Sequence, residues 1–430
     1  MTSADNRYAK SIAQLEVAKA VTPNGSQTYS KSYKTLPAGI APLFASRTSG
    51  GRIWDIDDNE YVDLINGLAA VNLGYGDRDV TAAVVKQLES GVTISLSHPL
   101  EAIVSQQIID LVPSAESVHF GKNGSDATTA AIRIARAFTG RDDVITCGYH
   151  GWQDWYIGTI PSRAFGVPEA YTALVHPVPY NDLAAMESEL KARPIAAIIL
   201  EPMTTEWPHP GYLEGVRDLA TRYGAVLVFD EMVTGFRFSN GGAQQYFGVT
   251  PDLSTFGKGM ANGYPLSAIV GRADLMAVLE TAFISGTFGG ELLSLAAAHV
   301  VLERIATTSV ISDIAAKGAE LRKRVEAVVA ENDLGDVLTF SGHPAWTFAM
   351  WNPLLENLTD VKLLFMQEMS RNGVLMIATH NVSAAHTAAD LDQVEAAYRA
   401  VLPIIKKAIS DGNAHELLDA EVGALGPGVR

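Results

Sequence analysis

The chain has 430 residues, 47% of them hydrophobic and 19% charged, so two or three compact domains with sizeable cores are expected. Acidic residues outnumber lysine and arginine by 48 to 32, and no basic run offsets the formal charge of −16, which argues against a nucleic-acid partner. A single cysteine, Cys147, excludes an internal disulfide framework and a cysteine-built zinc site, and it points to a reducing compartment.

The longest apolar runs, such as Ile195–Leu200 and residues 225–229, are strand-length and far below the roughly 18 residues that span a bilayer. Asp5, Arg7 and Lys10 open the chain without a following apolar core, so no secretory signal is expected and the cytoplasm is the default. In chain order, residues 51–63 (GRIWDIDDNEYVD) read as a β-hairpin turning at Asp57-Asp58-Asn59. Residues 118–120 read as a strand, 121–126 as a turn, and 127–138 as a helix with Ala127, Ala131, Ile134 and Phe138 on one face. Residues 144–147, Ile195–Leu200 and 225–229 are short and uniformly apolar, as strands covered on both faces are. Residues 213–223 and 292–305 read as connecting helices, and helical periodicity strengthens past Leu302, most clearly over 317–329 and 361–372. The tail beyond Leu418 is expected to be loosely ordered. This alternation predicts an α/β protein with a largely parallel sheet.

Several familiar signatures fail. Gly257-Lys258-Gly259 has the glycine–lysine pair of a P-loop, but position 259 is not Ser or Thr. Gly74-Tyr75-Gly76 ends in Asp79 where a dinucleotide fingerprint needs glycine, and His415-Glu416 lacks the second histidine of a zinc hydrolase. No serine lies in a G-x-S-x-G frame. ATP, NAD and metal-hydrolase readings have no support, and no metal ligand set is expected.

A spaced set remains. Leu227-Val228-Phe229-Asp230-Glu231 puts an acid at the C-terminal end of a buried strand, where open α/β sheets bind ligands. Lys258 follows in the glycine-rich stretch FGKGMANGYP. Asn123-Gly124-Ser125-Asp126 opens a helix directly after a strand, and its unspent N–H groups suit a phosphate. Gly148-Tyr149-His150-Gly151-Trp152 offers a flat ring between glycines. Such a set can hold pyridoxal phosphate, which needs a lysine for its Schiff base, a carboxylate for its ring nitrogen, a phosphate cup and a ring to stack on. Each residue also has a plainer reading. Lys258 fits a solvated loop, and Asp230 and Ser125 fit helix caps. Tyr149 and Trp152 fit half-buried packing, His150 a structural position or one behind the cofactor-contacting residues, and Arg237 an ion pair.

The segments VLVFDEMVTGFR (226–237), PDLSTFGKGMANGYPL (251–266) and SGTFGGE (285–291), with LVPSAESVHFGKNGSDAT and CGYHGW upstream, resemble the class III pyridoxal-phosphate aminotransferases. Within that family they are most similar to the glutamate-1-semialdehyde aminomutase branch, over roughly residues 37–392. The resemblance implies an α/β fold of the fold-type I pyridoxal-phosphate-dependent transferases. A large domain carries a mixed, mostly parallel seven-stranded sheet, and both termini build a smaller α/β domain. The expected division is 1–60 and 301–430 for the small domain and 61–300 for the large one, in a homodimer with active sites at its interface. Lys258 matches the internal-aldimine lysine, and Asp230 the carboxylate facing the pyridine nitrogen. Gly124 and Ser125 match the phosphate turn, Tyr149 the stacked aromatic, and Thr287 a threonine that reaches the phosphate from the neighbouring subunit.

Two departures bear on substrate. Phe44 stands where the aminomutase has an arginine for the substrate carboxylate, and Glu206 stands where it has an asparagine. Glu206 resembles instead the glutamate with which ornithine and γ-aminobutyrate aminotransferases pair a switching arginine. Val233 replaces the glutamine that those two enzymes aim at the cofactor's phenolic oxygen. The implied activity is transamination between a small amino donor and an aldehyde, ketone or keto acid. A 2,1-aminomutase is the alternative, and an epimerase or racemase a more remote one.

Overall fold

The computed structural model describes residues 7–420. The expected loose tail beyond Leu418 falls almost wholly outside them, as do the first six residues. Two compact units are present: the first gathers residues up to 68, 73–76 and those from 314 on, and the second gathers 69–72 and 77–313. Where the sequence reading divides the chain at 60 and 300, the units divide near 68 and 314. The reason is local: the strand Glu60–Asp63 pairs inside the first unit, whereas the helix Leu292–Thr307 packs on the helices Arg78–Leu88 and Pro99–Leu111 of the second.

In the first unit, β1 (Ala45–Ser49), β2 (Arg52–Asp55) and β3 (Glu60–Asp63) form an antiparallel meander, and the β2–β3 turn falls at the predicted Asp-Asp-Asn. Val374–Leu375 joins its edge in parallel to β3. A second, three-stranded sheet contains Leu338–His343, Trp346–Trp351 and Thr379–His380. The helices Val310–Glu331, Leu358–Arg371 and Ala388–Asp411 close a core of Val62, Val325, Leu364, Val374 and Tyr398.

The second unit is built on seven strands. They are β4 (Ser117–Gly121), β5 (Asp143–Cys147), β6 (Val175–Pro177), β7 (Ile195–Leu200), β8 (Val226–Asp230), β9 (Leu253–Phe256) and β10 (Ser267–Gly271), in spatial order 4-10-9-8-7-5-6. β5 to β9 run parallel, and β10 is antiparallel to both of its neighbours, so the sheet is mixed and mostly parallel. Strand periodicity of two explains the layers. Val226 and Val228 face the helix Gly124–Thr139 through Ala127, Ala131 and Ile134, while Leu227 and Phe229 face Met186, Leu190, Leu213 and Val216 on the opposite side. Both faces are covered, which is why β7 and β8 are apolar at nearly every position.

The helix after β4 begins at Gly124, three residues earlier than predicted, because the Asn123 N–H turns back on Asp126 Oδ2 at 2.8 Å and starts the first turn there. Phe138 is not on the buried face: it is 44% exposed in the last turn, with the Arg272 guanidinium 6.0 Å from its ring centroid. Among the described residues no single helix is long and apolar enough to cross a membrane.

Candidate active site

The C-terminal ends of β4, β5, β8 and β9 carry the residues singled out above. Asp230 ends β8, is 4% exposed, and continues the alternation that turns Val226 and Val228 to one face. Its Oδ2 lies 2.8 Å from His150 Nδ1, and its Oδ1 accepts from the Met232 N–H at 3.2 Å and from Thr255 Oγ1 at 3.3 Å. Three polar contacts therefore satisfy this buried side chain. Glu231, the next residue, is fully buried and serves the scaffold: it accepts from Thr234 Oγ1 at 2.9 Å and from the Gln244 backbone and side-chain nitrogens, both at 3.0 Å. Burial pushes the Glu231 carboxyl up, and these hydrogen bonds, with one from the Ala243 N–H, offset only part of the rise.

His150 and Tyr149 follow β5 on a loop gripped from four directions. Tyr149 N–H donates to Glu201 Oε2 at 2.9 Å, and Tyr156 Oη donates to the Gly148 carbonyl at 2.6 Å. Thr128 Oγ1 donates to the His150 carbonyl at 2.8 Å, and the Trp152 N–H donates to Ser125 Oγ at 3.2 Å. Gly148 and Gly151 are required on both counts. Their φ values of +111° and +105° suit only glycine, and a Cβ at 148 would meet Glu201 Oε2 at 2.7 Å while one at 151 would overlap Ser125 Oγ. The clamp leaves Tyr149 half-buried, with the Tyr156 ring edge-on at 5.7 Å. Trp152 is 67% exposed and is not the packing aromatic the sequence suggested.

Gly124 and Ser125 occupy the first turn of their helix, whose leading N–H groups have no acceptor within the helix. The Asp126 and Ala127 N–H groups turn back to the Asn123 carbonyl, whereas those of Gly124 and Ser125 meet no acceptor among the described residues. Ser125 Oγ accepts from Trp152, so its own proton remains available to an anion. Lys258 opens the turn after β9, partly buried, with a left-handed φ of +44°.

Met232 ties these pieces together. A Cβ at Gly124 would meet Met232 Sδ at 2.9 Å, and so would one at Gly257, the neighbour of Lys258. One side chain two residues past Asp230 therefore packs against both the anion turn and the lysine loop. The structure so brings Gly124, Ser125, Tyr149, Asp230 and Lys258 to one edge of one sheet, sets His150, read from the sequence as a supporting residue, against Asp230, and adds Glu201 and Met232, which sequence reasoning missed. The contact arises because Asp230 ends β8 and His150 follows β5, strands separated only by β7.

The other residues singled out in the sequence have these surroundings. Thr287 is exposed on the loop 285–290, whose Gly289 packs against the Phe120 carbonyl. Glu206 is exposed, its N–H bonded to Thr204 Oγ1 at 3.2 Å. Val233 is buried. Phe44 belongs to the first unit and is half-buried, its carbonyl accepting from the Ile56 N–H at 3.0 Å. Arg237 is 1% exposed; where the sequence reading expects an ion pair, its Nη2 donates to the Ala69 carbonyl and to Asn72 Oδ1. Burial lowers its pKa to about 10.

An anion turn at a helix N-terminus, a buried carboxylate, a half-buried tyrosine and a lysine at one sheet edge fit pyridoxal phosphate, and on this sheet they define a fold-type I enzyme of that cofactor. Comparison with known proteins narrows the class. The family described as "Aminotransferase class-III" matches residues 35–409. A 3-aminobutyryl-CoA aminotransferase of Cloacimonas acidaminovorans (strain Evry) is 35% identical over 420 residues, covering 93% of this chain and 98% of the relative. A glutamate-1-semialdehyde 2,1-aminomutase of Symbiobacterium thermophilum is 37% identical over 334 residues, 73% of this chain and 77% of the relative. The solved structure of FumI from Sphingopyxis sp. MTA144, in its pyridoxal-phosphate internal aldimine form, superposes with a TM-score of 0.87 at 27% identity, covering 95% of this chain and all of that one. The chain belongs to the class III aminotransferase family. It is a pyridoxal-phosphate-dependent transaminase.

Proposed function

We propose that Lys258 is the residue that binds the cofactor covalently and that its Nζ then moves the substrate proton. The observation that carries this reading is the packing of Met232 against both Gly124 and Gly257, which supports a single site shared by the anion turn, Asp230 and the lysine loop. When bound, the cofactor supplies an electron sink for the carbon from which a proton leaves. The chain does the rest. The Gly124 and Ser125 N–H groups and Ser125 Oγ hold the phosphate, Tyr149 covers the ring, and Asp230 holds a proton on the ring nitrogen. His150 orients Asp230 through Nδ1–H. Lys258 Nζ takes the proton from the donor's amine-bearing carbon as a base and returns it as an acid. Lys258→Ala is expected to abolish turnover while the protein still folds and binds the cofactor non-covalently; a variant that keeps a tenth of wild-type turnover overturns the assignment.

For substrate, the reading is an amino donor whose amine lies on a carbon other than the one next to a free carboxylate, such as a β-amino acyl thioester or a related amine. Support comes from the 3-aminobutyryl-CoA aminotransferase, which aligns over nearly its whole length, and from Phe44 in the place of a carboxylate-binding arginine. Phe44 and Glu206 are the proposed substrate-facing residues. The 37% identity to an aminomutase favours a second reading, and stoichiometry separates the two. A transaminase given a donor alone stops after one equivalent of carbonyl product per site, whereas an aminomutase isomerises its substrate without an acceptor.

A homodimer is the proposed assembly, with Thr287 reaching the partner's phosphate. The exposure of residues 285–288, with Phe288 at 57% and Leu96 at 82%, supports a covered face there. Sedimentation of wild type and Thr287→Ala with and without cofactor tests it, since a bridging ligand links cofactor affinity to association. Cys147, buried as a free thiol, supports a reducing location such as the cytoplasm.

A further inference from the structure

The turn after Asp230 and the loop of Lys258 meet at one buried amide. Asn72 is 1% exposed and belongs to the stretch 69–72 that clusters with the second unit. Its Nδ2 donates to the Phe236 carbonyl at 2.8 Å, and its Oδ1 accepts from Arg237 Nη2. Arg237, equally buried, also donates to the Ala69 carbonyl at 3.2 Å. Both ends of the Asn72 amide are therefore committed, so its plane is fixed. Its flank lies against Gly259, where a Cβ would overlap Nδ2 and stand 2.7 Å from Cγ. The next residue back is Lys258, at φ +44°, and Asn262 at the far end of the turn has φ +47°. A non-glycine residue in that region is strained and persists only where its surroundings over-determine it.

We propose that Asn72 and Arg237 are positioning residues for Lys258: a buried polar brace that ties the segment after Asp230 to the lysine loop and fixes where Lys258 Nζ stands. The proposal rests on the reading of Lys258 given above. An apolar side chain at 72 would fill the same space but would not fix an orientation, since only the two opposed hydrogen bonds set the plane against which Gly259 packs. The brace also joins the acid and the lysine by a route separate from Met232, so a shift on one side reaches the other.

The test uses two readouts. One is the rate at which Lys258 is labelled by pyridoxal phosphate and trapped with borohydride, followed by peptide mass. The other is amide hydrogen exchange across residues 257–263 in the cofactor-free protein. Asn72→Ala is expected to slow labelling at least tenfold and to raise exchange in that segment, while the melting transition stays cooperative. Gly259→Ala should do the same, and Asn72→Ala with Gly259→Ala should recover part of the loss, because the side chain that the new Cβ meets is gone. Should Asn72→Ala fail to fold, Asn72→Asp keeps the Arg237 contact and loses only the Phe236 bond, and a two- to fivefold slowing is expected. Wild-type labelling and exchange in either Asn72 variant overturn the brace. Label on a lysine other than 258 in the wild type overturns the reading of Lys258 and the brace with it, so the two failures are distinct.

Discussion

His150 in the second unit and His380 in the first are both buried, at 1% and 2% exposure, yet they meet opposite kinds of partner. His150 Nδ1 faces the Asp230 carboxylate at 2.8 Å, whereas His380 Nε2 faces the neutral Tyr398 hydroxyl at 2.9 Å. His386, also in the first unit, is bonded at Nδ1 to Ser383 N and Oγ. Burial lowers the pKa of His380 and of His386 to about 4, and only for His386 does a carboxylate, Asp390, pull weakly the other way. The lesson is that burial alone makes an imidazole an inert, neutral packing group. A carboxylate bonded directly to the ring, as Asp230 is to His150, gives the imidazole a polar partner at the sheet edge instead.

The largest test of that contrast is acid titration of the fold. Both first-unit rings have folded pKa values below the ordinary 6.5, so they are neutral when folded and take protons more readily when unfolded. Their contribution to stability is complete above pH 6.5 and is lost as pH falls from 6.5 towards 4, at about 3 kcal/mol for each ring. Denaturation series at pH 7.5, 5.5 and 4.5 are expected to follow that slope, and His380→Phe to remove about half of it; equal slopes in the two proteins break the assignment. Second comes Asp230→Asn, which gives His150 a neutral partner like that of His380. Loss of a buried charge partner costs about 4 kcal/mol, so single-turnover rates should fall about a thousandfold with the fold intact. Third, His150→Gln should slow turnover about 10- to 100-fold, as expected for a lost hydrogen bond to a charged group of about 2 kcal/mol, and should change the pH dependence of cofactor absorbance. The smallest effect is Tyr398→Phe, which removes only a neutral hydroxyl: about 1 kcal/mol of stability in urea unfolding and no change in kcat.

The two histidines also mark what a sequence reveals. The places of Asp230 and Lys258 in the fold are legible because each sits in a local pattern, an acid closing an apolar strand and a lysine in a glycine-rich turn. The largely parallel character of the sheet is legible from apolar runs such as Ile195–Leu200, since covering a sheet on both faces leaves an unbroken hydrophobic stretch. His150 is not legible in isolation: its role depends on β5 and β8 flanking β7, which is a tertiary fact. Asn72 and Met232 are harder still, because an amide after Val71 and a thioether after Glu231 have no local signature, and only close packing against Gly259, Gly124 and Gly257 gives them meaning. Phe138 was misplaced for the opposite reason. Helical spacing put it on the apolar face, but it lies in the last turn, where Arg272 covers the ring with charge and leaves it partly wet.

The pairing of β4 has a consequence for how the enzyme is made. β4 forms an edge of the seven-stranded sheet, and its one neighbour in the sheet is β10, antiparallel, with Val118 opposite Val270. The strand that leads into the Gly124-Ser125 turn therefore gains its hydrogen-bonded partner only after about 150 further residues have been synthesised, a contact of high sequence separation. Until then its free edge is exposed on the ribosome, and the anion turn has no fixed place relative to the lysine that precedes β10. Closing β4 onto β10 therefore waits for the last strand of its own sheet to be synthesised.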